Sequence, residues 1–123
     1  MPKKPDLALF HVLERARQVE AFCAGKSLQD YRSDVLLRMA VERCIEIISE
    51  ASRSIPDDLK ADHPTIPWKD IAGIGNVMRH DYDNVRDDII WAIVENHIGA
   101  LRDAVEQMAR DHNIDLDRKR FRD

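Results

Sequence analysis

Apolar residues recur at the helical period of 3.6 in four blocks, and no stretch alternates at the period of two that marks a strand. In the first block, about Asp6 to Ala24, Leu9, Val12, Leu13, Ala16, Val19 and Cys23 fall on one stripe. Asp6 is placed to cap it and Gly25 to stop it, and Ser27 can cap a short turn after the break. The second block, about Ser33 to Ser54 with Ser33 as cap, is the most strongly helical. Leu36, Ala40, Ile47 and Ala51 share one face and Leu37, Val41, Ile45 and Ile48 the neighbouring one. So broad an apolar surface predicts a central helix packed on more than one side, with Arg38, Glu42, Ser49 and Arg53 as its wet stripe. Asp57 to Ala61 predicts one short helical turn, and the prolines of His63-Pro64-Thr65-Ile66-Pro67 predict a connector. Pro67 suits the first position of a third helix running to about Arg79. A fourth, from about Asp87 to Arg110, carries the seam Ile90, Val94, His97, Leu101, Ala104 and Met108. The fold class is therefore all-α: an antiparallel up-and-down bundle of four to five helices over residues 1–112, followed by a polar, frayed tail over 113–123.

Composition narrows the function. At 123 residues the chain fits one domain. Lys plus Arg is 19 against 23 for Asp plus Glu, a net charge of −4, which argues against a broad nucleic-acid footprint. Two cysteines, Cys23 and Cys44, cannot make a disulfide framework or a Cys-rich zinc site, and both sit at apolar positions, as buried thiols in a reducing cytoplasm do. No segment resembles a secretory signal or approaches the roughly 20 apolar residues of a membrane span, so the expected location is cytoplasmic.

The densest polar cluster is Gly73-Ile74-Gly75-Asn76-Val77-Met78-Arg79-His80-Asp81-Tyr82. The set suits phosphoryl chemistry. Histidine titrates near neutrality and can move a proton, arginine can stabilise charge on a phosphorane, and asparagine or tyrosine can orient the reacting group. The plainer alternative is a helix C-terminus at which Arg79 and His80 complement the macrodipole. Gly73 and Gly75 weaken this helix by roughly 1 kcal/mol each relative to Ala, which points to a close backbone approach, including that of two third helices across a dimer axis.

This cluster, with Ala40 through Ala51, His63-Pro64-Thr65-Ile66-Pro67-Trp68 and Ala24-Gly25-Lys26-Ser27-Leu28, resembles the HepT-like family of HEPN-domain ribonuclease toxins, over nearly the whole chain to about Met108. The resemblance implies a helical bundle acting as a homodimer, a metal-independent endoribonuclease with RNA as substrate, and an antitoxin partner of the MNT-type nucleotidyltransferases. The family signature is Arg, four residues, His, one residue, Tyr. Its histidine falls on His80 and its tyrosine on Tyr82, which the resemblance makes the site of AMP modification by the antitoxin. Its arginine falls on Gly75, followed by the usual asparagine as Asn76. Arg79 is one helical turn from position 75 and shares its face, so it can reach a similar phosphate, and Arg43 is a further substitute. The expected site is thus His80, Arg79 and Asn76, with Arg43 and Glu50 supporting and no metal or cofactor. The alternative, carried by Gly75, is a non-catalytic helical dimer that binds nucleotide or regulates a nucleotidyltransferase. Other groups look structural: His97 a core residue, His11, His63 and His112 surface residues, and Arg118 to Arg122 a solvated basic run.

Overall fold

The computed structural model describes residues 2–80 and 84–121; the side chains of His80, Asn84 and Val85 are not among the described groups. Among the described residues there is no strand. Seven α-helices are present among them: α1 (Lys4–Cys23), α2 (Leu28–Ser33), α3 (Val35–Ser52), α4 (Asp57–Ala61), α5 (Trp68–His80), α6 (Asn84–Asn96) and α7 (Ile98–Asp111). A short 3-10 turn, Arg118–Phe121, follows. The molecule is the all-α bundle the periodicity predicts, with α3 packed between α1 and α5 and with α7 on the other side of α1.

Local chemistry sets the boundaries. Gly25 ends α1 with φ +72°, the left-handed region that glycine enters without cost. Ser27 and Asp30 form a reciprocal capping box on α2, with bonds of 3.1 and 2.9 Å. Two caps differ from expectation. α1 starts from Lys3, with proline in its first turn, which leaves Asp6 free to accept a bond from Arg120 at 2.7 Å. α3 is capped by Asp34, whose carboxylate accepts the Leu37 N–H at 3.1 Å, while the Ser33 hydroxyl donates back to the Gln29 carbonyl.

The core is aliphatic. Leu9, Val12 and Val19 of α1 meet Val41, Ile45 and Ile48 of α3 and Ile98, Leu101, Val105 and Met108 of α7, all fully buried or nearly so. Each such side chain contributes about 1.5–3 kcal/mol by leaving water. Cys23 and Cys44 are buried free thiols, and burial pushes Cys23 up to about 11 and Cys44 in the same direction.

Four readings of the pattern need correction. The fourth helix is two, because the chain bends at His97 (φ −126°, ψ −28°), which lines a small apolar cleft with Ile45, Ile71 and Ile93. The tail is docked rather than frayed over residues 113–121: Ile114 and Leu116 pack on the core, Arg118 pairs with Glu14, and Phe121 stacks on Phe10 at 4.4 Å. Ser49, expected in the wet stripe of α3, is buried. Conversely, although α3 packs against both α1 and α5, the apolar face led by Leu36 is open at its start, with Leu36 81% exposed and the neighbouring Met39 65%.

Candidate functional site

The site starts at the seam between α3 and α5. The Ser49 hydroxyl donates to the Ala72 carbonyl at 3.0 Å and accepts the Gly75 N–H at 3.4 Å. Arg53 donates to the same carbonyl at 2.6 Å. α5 is therefore held by its backbone, and its residues 75 and 79 face outward from the seam into a cavity of about 520 Å³. Gly75 is approached by Ser49, as expected of a small residue, yet a Cβ there would meet only Ser49 Oγ at 3.7 Å and Arg79 Nη1 at 3.9 Å, which are ordinary contacts. A Cβ at Gly73 would meet nothing within 4 Å, so no close approach within the chain requires that glycine.

Three helices wall the cavity. α1 supplies Lys4, Leu7, Ala8 and His11; α3 supplies Arg43, Glu46, Ile47, Glu50 and Arg53; α5 supplies Gly75 and Arg79. Lys4, Arg43, Arg53 and Arg79 face Glu46 and Glu50, so the cavity is cationic although the chain is acidic. Both carboxylates are engaged one turn along α3, Glu46 by Arg43 at 2.5 Å and Glu50 by Arg53 at 3.7 Å. Among the described residues Lys4 and Arg79 form no ion pair. Leu7, Ala8 and Ile47 give the cavity apolar surface. This combination of cations and apolar floor suits a nucleotide-like ligand, with phosphate on the cations and the rest of the ligand on the floor.

His11 was missed as a site residue. It is half-buried, with its ring edge-on to Phe10 at a centroid distance of 5.5 Å and its Nδ1 buried without a hydrogen-bond partner among the described residues. Burial, followed by the nearby Arg15 charge, holds its imidazole below the ordinary histidine range, and Glu14 only partly opposes them. Lys4, Leu7, Ala8 and His11 fall at the i, i+3, i+4, i+7 spacing of one helical stripe, and that spacing was the sequence signal that could have found the α1 wall.

Of the expected site residues, Arg79, Arg43 and Glu50 are brought together on this cavity. Asn76 is exposed and stands outside its lining. His80 is the last residue of α5, directly after Arg79; its side chain, and Tyr82 altogether, lie outside the described residues. Among the described residues no group of three or more His, Cys, Asp or Glu side chains is placed to hold a metal ion, and no helix is long and apolar enough to cross a membrane.

A helical bundle with a cationic cleft beside a Gly-x-Gly-Asn-x-x-Arg-His helix defines a class of all-α protein with a cleft suited to an anionic ligand. The family follows from comparison. Residues 12–108 match the family described as ribonuclease HepT-like, and the chain belongs to it. A protein of Methanocaldococcus jannaschii named as a candidate RNase is 33% identical over 98 residues, covering 80% of this chain and 90% of that protein. A Thermococcus cleftensis protein named as a probable ribonuclease HepT is 32% identical over 99 residues, with 80% and 90% covered. A Caldanaerobacter subterraneus protein, also named as a candidate RNase, is 32% identical over 106 residues, with 86% and 95% covered. No solved structure matches.

Proposed function

We propose that this chain is a metal-independent endoribonuclease that works as a homodimer in the cytoplasm, the toxin of a pair whose antitoxin is an MNT-type nucleotidyltransferase. The observation that carries the reading is the place of Arg79. Its Nη1 lies 3.9 Å from where a Cβ at Gly75 would stand, which supports Arg79 as the stand-in for the family arginine at position 75. The charge missing at Gly75 is thereby supplied one turn later.

The chemistry then runs as a transesterification. His80 takes the proton of a ribose 2′-OH, and the oxygen forms a bond to the adjacent phosphorus while the P–O5′ bond breaks. His80 of the second copy gives the leaving O5′ its proton. Arg79 stabilises the phosphorane, and Asn76 orients the phosphate. The 2′-OH requirement restricts the substrate to RNA. Tyr82 is the hydroxyl on which the antitoxin places AMP, silencing the toxin. Val35, Leu36 and Met39, three exposed large apolar side chains at the start of α3, support a protein partner on that face, and the second copy is assigned to it.

The test is cleavage of RNA in excess chelator. Wild-type protein is expected to cut, His80→Ala to lose about 10²–10⁴-fold in rate, and Arg79→Ala about 10²–10³-fold. Equal rates for wild type and His80→Ala would overturn the assignment, and no cleavage by any of the three would favour a nucleotide-binding regulator.

A further inference from the structure

The cavity is longer than one phosphate needs. Arg43 and Arg53 are ten residues apart on α3, about 15 Å along its axis at 1.5 Å per residue. Their heads lean toward each other, onto Glu46 and Glu50, yet remain on different turns of the helix, since Arg53 is also held at 2.6 Å by the Ala72 carbonyl. Lys4 stands on the opposite wall, on α1, with His11 two turns further along the same stripe. A single phosphate bound at Arg79 cannot touch all of these groups. A strand with several phosphates can.

We infer that the α1 wall, Lys4 and His11, together with Arg53 forms a second binding subsite, which holds the backbone of single-stranded RNA beyond the scissile phosphate. The inference rests on the ribonuclease reading for its ligand class. Lys4 and Arg53 contact flanking phosphates as point charge and fork, and His11 bonds a phosphate or ribose oxygen through Nε2, its Nδ1 being buried. The apolar floor of Leu7 and Ile47 carries no aromatic ring, so bases rest on it without stacking and the subsite reads backbone rather than sequence. An RNA strand is favoured over an acidic peptide because the lining pairs its cations with an apolar floor on which bases and sugars can rest.

The experiment uses the full chain and a 2′-O-methyl RNA octamer, which cannot be cleaved by 2′-OH attack, with binding followed by fluorescence anisotropy across a salt series. The octamer is expected to bind at least tenfold more tightly than AMP or inorganic phosphate. Lys4→Gln and Arg53→Gln are each expected to lower the salt slope by about 0.7, the value for one phosphate contact on a single strand. His11→Gln is expected to weaken octamer binding severalfold without changing that slope. Thermal melting of each variant separates loss of binding from loss of fold. An unchanged slope and affinity in folded Lys4→Gln and Arg53→Gln would overturn the subsite, as would equal affinity for the octamer and AMP. A poly-glutamate peptide that binds as tightly as the octamer would assign the subsite to an acidic protein segment instead. Because the octamer is not a substrate, the subsite stands or falls on binding whether or not the protein cleaves RNA. Conversely, His80-dependent cleavage with a KM unchanged in these variants would leave the ribonuclease reading intact and remove the subsite.

Discussion

One face of α3 carries Leu37, Val41, Cys44, Ile45 and Ile48, all at most 7% exposed; the other begins with Val35 at 56%, Leu36 at 81% and Met39 at 65%. Further along, that second face becomes the wall of the cationic cavity at Arg43, Glu46 and Glu50. Both faces begin with large apolar side chains of similar transfer free energy, so hydrophobicity alone does not separate them. What separates them is whether the partner surface lies in the same chain. The inner face is satisfied by α1 and α5, while the outer face is apolar at one end, charged at the other, and covered by neither. A helix built this way ties the functional surface to the core: the cavity wall cannot shift without moving Val41, Ile45 and Ile48.

The strongest way to break that contrast is to cut equal volumes from each face. Ile48→Ala is expected to cost about 2–5 kcal/mol of unfolding free energy, from lost burial and the cavity left behind. Leu36→Ala is expected to stay within about 0.5 kcal/mol for the dilute, unassociated chain. Urea denaturation at low protein concentration reads both. The same Leu36→Ala protein, sedimented at tens of micromolar, is expected to associate more weakly than wild type. Equal stability losses would mean that the outer face is packed within the chain, and unchanged association would remove Leu36 from the dimer contact.

A smaller effect sharpens the boundary between the faces. Ser49 sits where the inner face meets the cavity wall, and its hydroxyl joins α3 to the backbone of α5 at Ala72 and Gly75. Ser49→Ala is expected to cost about 1 kcal/mol, the net worth of a buried bond, because Arg53 still satisfies the Ala72 carbonyl. Hydrogen exchange at the Gly75 amide is expected to quicken more than exchange at Val41, since only the first lies on the seam. Equal quickening would mean that Ser49 acts through the whole core rather than by placing α5.

These contrasts mark what the sequence could carry. The first three long segments, the stop at Gly25, the cap at Ser27 and the short α4 follow from periodicity and local chemistry, and all are present, while the fourth segment is helical but divided. The bend at His97 was not legible, because the Leu101 N–H still bonds its carbonyl and its own N–H still bonds Ile93, so the apolar period runs through it, and the nearby Gly99 lies inside α7 rather than at the bend. Ser49 looked wet because its partners lie more than twenty residues away on α5. The docked tail depends on Phe10, Asp6 and Glu14, more than a hundred residues before it. For the site, Arg79, Arg43 and Glu50 were legible from the cluster and the helical spacing. The helical spacing puts Lys4 and His11 on one stripe of α1, but nothing local indicates that this stripe faces the same cavity as α5.

The smallest expected effect lies on the α1 wall and concerns pH. His11 sits beside Arg15 and Glu14 on its own helix and lines the cavity with Arg43, Glu46, Glu50, Arg53 and Arg79 from α3 and α5. Burial and the Arg15 charge disfavour its protonated form in the folded chain, so its folded pKa lies below the value of 6.5 that an exposed imidazole keeps in the unfolded chain. The unfolded state therefore binds the proton first as pH falls. His11 lowers stability progressively from about 6.5 downward, through its depressed folded pKa, and does so not at all well above 6.5. Between pH 7.5 and 5.5 the urea midpoint of the wild type is expected to fall further than that of His11→Gln, which has no proton to take up. A bound polyanion on the cavity cations is expected to shrink that difference, because its negative charge favours the imidazolium. A larger midpoint drop in His11→Gln than in wild type would reverse the sign and place a carboxylate, rather than burial and Arg15, in control of the α1 wall.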